Sequence, residues 1–340
     1  MGTQEKLRTW ELLNWAGRRF TMVRVSRRSS GVRYHAVVRL TIAFLAAITV
    51  YGQFPSPTLT ETTAKVSEHV FMTTGFPNVV YVVGDAATLV VDTGLGTANG
   101  ALVSRVAKRL SKGPKLFLTT THYHPEHAAG IGGFPPETIL IRPAVQQQEL
   151  EKEGEQTMTF FKNSPQFAPS LQGLGPLRPP DITFESEAKL ELGGGLTVRL
   201  MFLGAGHTAS DELIFVEPDR ALITGDIVQN KVVPSVASSG GSFASWLTVL
   251  DKLVPLQPRV VIPTHSKVGD ASLITSEAAF IRDMQGRAAA LKRSGVSAAD
   301  AATRLTEVFK MNYPAWVANT DWPNLNSMTG FVNRLYAEIR

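Results

Sequence analysis

Three histidines and a carboxylate fall within six positions, in the run His122-Tyr123-His124-Pro125-Glu126-His127. The apolar stretch 115–119 precedes them and predicts a short buried strand. Imidazoles two residues apart on a loop leaving a strand can converge on one metal ion, while Glu126 and His127 face a second. Nitrogen and carboxylate-oxygen donors suit Zn²⁺ best, and iron or manganese would also be accepted.

The other candidate ligands obey one rule: each directly follows a strand-like run. His207 follows 196–203, Asp226 follows 221–224, and His265 follows 259–262. In a layered α/β fold such strand ends gather at one edge of a sheet, where distant residues can share a metal. The histidine census supports this. Of seven histidines, His35 lies in a basic N-terminal stretch and His69 has no motif around it, so His69 reads as structural. The remaining five all sit in these segments, a concentration that packing alone does not explain.

In order, Asp92-Thr93-Gly94, then His122/His124/Glu126/His127, then His207, Asp226 and His265 resemble the motifs of the metallo-β-lactamase superfamily. The resemblance spans about 70–280 and implies that family's fold, an α/β four-layer αββα sandwich. Carried over position by position, it implies two zinc ions per chain. His122, His124 and His207 would hold one, Glu126, His127 and His265 the other, and Asp226 would bridge them. Asp92 would orient a ligand or its loop, with Thr208 and Asp211 as further candidates for that role. Glu126 is a departure, because the family has aspartate there. The extra methylene moves the carboxylate by about 1.5 Å, and misplacement of that order can cost about 100-fold in rate. With His127, Asp226 and His265 all present, an intact dinuclear site is expected, with Glu126 and Asp226 as its catalytic carboxylates.

The 340-residue chain has no cysteine, which excludes disulfides, thiolate ligands and a cysteine nucleophile. Its formal net charge of +5 belongs to the N-terminus. Residues 1–52 carry nine basic and two acidic side chains, which leaves 25 basic against 27 acidic in the rest, a formal −2. No basic patch in the body argues for nucleic acid. Residues 40–50 are eleven uncharged positions after an arginine-rich stretch, the length of a signal-peptide core and short for a membrane span. Residues 1–52 are therefore expected to be an export leader, or an anchor if uncleaved, and to be the chain's one route to a membrane. Periplasmic or secreted localisation follows from that reading.

Residues 53–66, rich in Pro and Thr, predict a linker, and 67–340 the catalytic domain. Within it, 78–83 and 88–91 flank Gly84-Asp85 as a hairpin. Further hairpins are expected at 189–203 and 213–224, and helices at 102–110, 243–253, 270–293, 297–310 and 325–339. Trp246 reads as core. Residues 142–187 do not read as sheet. A helix from Pro143 to about Glu153 leads into an irregular, proline-rich and aromatic stretch, either a lid or a surface insertion. Residues 294–340 read as a helical extension whose aromatics, Tyr313, Trp316, Trp322 and Phe331, are expected in ordinary core packing, with capping the sandwich, walling the pocket or a dimer contact as the alternatives.

The expected activity is water attack on the carbonyl of a small ester, thioester, lactone or lactam. Aspartate at 226 argues against a β-lactamase proper, whose typical members place Cys or Ser near there. Other outcomes compatible with the motifs are an iron-dependent oxidoreductase and a non-catalytic metal-binding module. The fold supports many functions, so the substrate is not read from it.

Overall fold

A computed structural model of the protein describes residues 56–320 and 322–339. The expected leader lies outside the described residues. Two sheets form the centre. The first has seven strands in sequence order: β1 (Ala64–Lys65), β2 (Val70–Thr73), β3 (Val79–Val83), β4 (Ala87–Val91), β5 (Lys115–Thr119), β6 (Ile139–Pro143) and β7 (Ile182–Phe184). It is antiparallel up to β4 and parallel from β4 to β7. The second holds β8 (Glu187–Glu191), β9 (Thr197–Phe202), β10 (Glu212–Glu217), β11 (Ala221–Gly225) and β12 (Val260–Pro263), with only β11 and β12 parallel.

Every residue of β3, β4 and β11 is buried, because both faces of each sheet are covered. The strand period of two divides them. In β3, Val80 and Val82 point to the other sheet and pack with Leu200, Ile214 and Ile223. Val79, Tyr81 and Val83 point outward to Val103 and Val106 of helix α1 (Gly96–Leu110). The outer face of the second sheet, through Leu213, Phe215 and Leu222, meets α4 (Phe243–Leu253), α5 (Ser272–Arg293), α6 (Ala298–Asn312) and α8 (Asn324–Glu338). The layers run helix, sheet, sheet, helix, the expected αββα sandwich with C-terminal helices. The remaining α-helices are α2 (Pro125–Ala128), α3 (Ala144–Lys162) and α7 (Pro314–Val317).

Two expectations need correction. Residues 142–187 are not free of sheet: β6 ends within this stretch and β7 adds to the edge of the first sheet. Both strands are short. Pro143 closes β6, and Pro179-Pro180 stand just before β7, so each strand was masked by its punctuation. The helix also runs nine residues past Glu153, to Lys162. Within the stretch read as a linker, Pro57 and Leu59 are buried while most of residues 60–66 are exposed. Asn99 of α1 clasps the segment by accepting from the Leu59 amide (3.0 Å) and donating to the Pro57 carbonyl (2.7 Å). Among the described residues no helix is long and apolar enough to cross a membrane.

Candidate metal centre

Strand register brings the site together. β4 and β5 pair in parallel with Val91 opposite Thr119, so they deliver Asp92 and residues 120–122 to the same edge. In the second sheet Gly225 pairs with Pro263, which sets Asp226 beside Thr264 and His265. The loop between β9 and β10 carries His207, and the Glu212 amide donates to the Thr121 carbonyl (2.7 Å), tying the two edges together. Asn78 makes a second tie, donating through its side chain to the carbonyls of Pro263 (2.9 Å) and Ser266 (3.0 Å). Gly225 is required at this edge: it has φ +53°, and a Cβ there would lie 2.8 Å from Cβ of Thr121.

All seven expected ligands meet. His122, His124 and His207 bring ligand atoms within 4.8 Å of one another, and so do Glu126, His127 and His265. His122 also groups with His127 and Asp226, so the two sets adjoin. Asp226 faces both: Oδ2 lies 3.4 Å from His207 Nε2, and Oδ1 lies 3.5 Å from His265 Nε2 and 3.9 Å from His127 Nε2. The expected aspartate at 92 hydrogen-bonds His127 Nδ1 (2.9 Å) and accepts from the Thr121 amide (2.7 Å), with its own backbone at φ +69°. Thr208 and Asp211 hydrogen-bond each other across the His207 loop, Asp211 accepting from the Thr208 amide and hydroxyl, both at 2.9 Å. His69 pairs with Asp219 at the turn between β10 and β11 (2.6 Å).

The donor set fits a metal. Two ligands about 2.0–2.1 Å from a tetrahedral zinc lie about 3.3 Å apart. The nitrogen pairs His122–His124, His127–His265 and His124–His207 stand at 2.9, 3.2 and 3.4 Å. Glu126 Oε2 is buried with no hydrogen-bond partner among the described residues. Outer partners fix the rings: His207 Nδ1 is held by the Ser235 carbonyl and His127 Nδ1 by Asp92, which leaves each Nε2 to the cluster.

Electrostatics agree with this arrangement. Burial, and then the neighbouring imidazoles, push His122 and His124 well below the usual histidine range, and burial takes His265 down to about 4. These rings stay neutral, the form that binds metal. Burial would raise Asp226, but His265, His207 and His127 outweigh it and hold the carboxyl below its ordinary range. Burial pushes Glu126 up to about 7. On His127 burial opposes the proton, yet the Asp92 carboxylate prevails and raises it to about 9. A metal at Nε2 would displace that proton while Asp92 keeps the one on Nδ1.

Residues 72–265 match the family described as the metallo-beta-lactamase superfamily. The chain belongs to that superfamily. A linear primary-alkylsulfatase from a Pseudomonas sp. is 26% identical over 238 residues, covering 58% of this chain and 44% of that protein. The chain thus spans less than half the length of the curated relative it matches. Among solved structures, a metallo-beta-lactamase from Pontibacter korlensis superposes with a TM-score of 0.53 at 17% identity, over 66% of this chain and 99% of that one. The DIM-1 metallo-beta-lactamase gives 0.52 at 18% identity, over 67% and 98%. FIM-1 from Pseudomonas aeruginosa, in a mono-zinc form, gives 0.51 at 16% identity, over 65% and 95%. These last three are likenesses of fold.

Several contributors to this superfamily site escaped the sequence reading. Thr264 donates to Asp226 Oδ1 (2.6 Å) and Gln229 Nε2 donates to the same oxygen (3.2 Å). Thr121 binds both oxygens of Asp92 (3.1 and 3.0 Å). Thr121 and Thr264 each directly precede a histidine ligand, a signal that was available; Gln229 offered none. Trp322 packs on the Phe76 cluster as expected and also lies beside the centre, 5.3 Å from His265 and 6.3 Å from Phe76 by ring centroid.

Proposed function

We propose that the protein is a metal-dependent hydrolase that activates water at a two-metal centre to break an ester, thioester, lactone or lactam. One observation carries this: Asp226 turns one carboxylate oxygen toward His207 and the other toward His127 and His265. A carboxylate between two imidazole sets is what a bridging ligand requires. His122, His124 and His207 would hold one zinc ion, and Glu126, His127 and His265 the second. Zinc bound there supplies Lewis acidity and lowers the pKa of water towards neutrality. The protein's part is to hold the donors still. Thr264 and Gln229 fix Asp226 Oδ1, Asp92 fixes His127, and the Ser235 carbonyl fixes His207. Glu126 Oε2 remains as a carboxylate oxygen without a hydrogen-bond partner among the described residues, able to hold a metal or a proton. The name of the curated relative adds sulfate esters to the substrates worth screening.

Elemental analysis of chelator-free protein tests the reading, with hydrolysis screened on carboxylic esters, thioesters, lactones, lactams and alkyl sulfates. Two zincs per chain and turnover of one class are expected. Asp226→Ala should lose metal and activity together; retention of both in that variant would defeat the bridging role. Iron with redox activity in place of hydrolysis would replace this reading.

A further inference from the structure

A cleft of about 720 Å³ opens over His124, between α3 and residues 236–239, with Arg334 of α8 at its side. That volume falls within the range of about 300–1,000 Å³ typical of small-molecule sites. Among the seven clustered ligands, His124 alone lines it, so the cleft leads away from the first metal set.

The charges in its wall are already satisfied. Lys152 pairs with Glu153 (3.1 Å), and Arg334 with Glu338 (2.7 Å) and the Gly241 carbonyl. Paired cations of this kind do not make an anion site. The wall also holds Ser238 Oγ, buried with no hydrogen-bond partner among the described residues, and beside these polar groups it offers apolar surface. Phe160 is 70% exposed, and Phe161 and Val236 stand in the same cleft. The Phe160 ring meets Phe161 edge-on at 5.9 Å, and Phe161 stacks at 5.1 Å on Phe167, which is buried. An aromatic face left to water at the mouth of a cleft is a cost that a bound apolar group removes. The wall is also preformed. Glu149 of α3 accepts from the Ala209 amide (3.0 Å) and the Ser210 hydroxyl, and Glu153 accepts from the Ser239 hydroxyl.

We propose that this cleft is a hydrocarbon site, and that the substrate is an ester carrying a straight acyl or alkyl chain that lies along Phe160, Phe161 and Val236 while its polar end reaches the metal centre past His124. The assignment deepens the hydrolase reading and rests on it for the identity of the polar end. Phe160 is then a specificity-determining residue, with no part in the bond-breaking step.

Binding of product-like ligands separates the two readings. Butyrate and decanoate, each below its micellar concentration, are titrated calorimetrically into the full zinc-loaded chain. Both bring the same carboxylate, so their difference reports the chain alone. Each methylene fully removed from water is worth about fourfold in affinity. Six extra methylenes, half-buried, should therefore raise affinity by about 60-fold. Phe160→Ala, at an exposed position that leaves the fold alone, should weaken decanoate by about fivefold to tenfold and leave butyrate within about twofold. Equal affinities for the two acids would overturn the proposal, as would a Phe160→Ala variant that shifts both alike or neither. Hydrolysis of straight-chain esters is scored separately on the same protein. Chain-dependent binding with no turnover of any class in the hydrolysis screen would sink the hydrolase reading and leave the hydrocarbon site. Turnover indifferent to chain length would sink the hydrocarbon site and leave the hydrolase.

Discussion

Glu126 is the residue at which the sequence departs from the motif it resembles, and its surroundings show where the longer side chain goes. The short helix α2 turns Glu126 inward beside His127, with Oε1 3.9 Å from His127 Nε2. Burial pushes the carboxyl up to about 7, so without a metal it holds a proton over much of the neutral range. A dication at the second set would remove that cost, which makes Glu126 dependent on the metal as much as the metal on Glu126. Glu126→Gln keeps the shape and removes the charge. It should take zinc content from two per chain towards one while the first set, which lacks Glu126, stays filled. Unchanged stoichiometry by elemental analysis would remove Glu126 from the ligand set. The seven clustered residues were legible in sequence because each follows a strand and five of them are histidines in a chain with only seven. Thr264 showed itself only by preceding His265, and Gln229, which also holds Asp226, not at all, because an amide with no periodic context looks like any surface polar group.

At the scale of elements, the strands and helices that were legible are those whose burial has a period. The hairpin over β3 and β4 alternates between two cores. Helix α4 was read with its observed bounds because Phe243, Trp246, Val249, Leu250 and Leu253 form one apolar stripe. Trp246 is core, its indole N–H donating to the Ile227 carbonyl (2.8 Å). Helix α3 has no such stripe, and only half its length was read. Of its nineteen residues it buries Gln146, Glu149 and Phe161, two of them polar. Those two do the anchoring. Gln146 exchanges hydrogen bonds with Thr120 through its side chain (2.7 and 2.9 Å), just before His122, and Glu149 holds residues 209 and 210, just after His207. One helix thus steadies both loops that supply the first candidate ligand set. Glu149→Ala should leave the sheets intact and weaken metal at that set about 10-fold to 100-fold, the cost usually seen when an outer partner of a ligand is lost. Zinc affinity measured by competition with a chromogenic chelator checks this. Full affinity with unchanged thermal stability would mean that α3 only caps the site.

Across the whole molecule, three apolar layers carry the fold, and the buried charges mark where it has conceded stability. The layer between the second sheet and the C-terminal helices includes residues beyond the 72–265 match, among them Phe309, Phe331 and Leu335. Helix α5 buries Glu277 completely, close to the Gln229 backbone amide and the Asp226 carboxylate, with no well-formed hydrogen bond to either carboxylate oxygen among the described residues. Burial pushes Glu277 well above the ordinary carboxylate range. The sign of the consequence is fixed by linkage. Below the unfolded value of 4.5, folded and unfolded chains both hold the proton. Above it the unfolded chain releases the proton and the folded chain keeps it. The contribution of Glu277 to stability therefore falls as pH rises, by about 1.4 kcal/mol per pH unit for one proton, until the raised folded pKa is reached. Glu277→Gln removes the titration and keeps the shape. The melting temperature of the variant minus that of the parent should be smallest near pH 4 and grow towards pH 8. Subtracting the parent at each pH cancels the clustered histidines and carboxylates and the similarly buried Glu212, which titrate in both proteins. A difference that stays flat from pH 4 to 8 would mean that Glu277 is already ionised, or reached by water, in the folded protein.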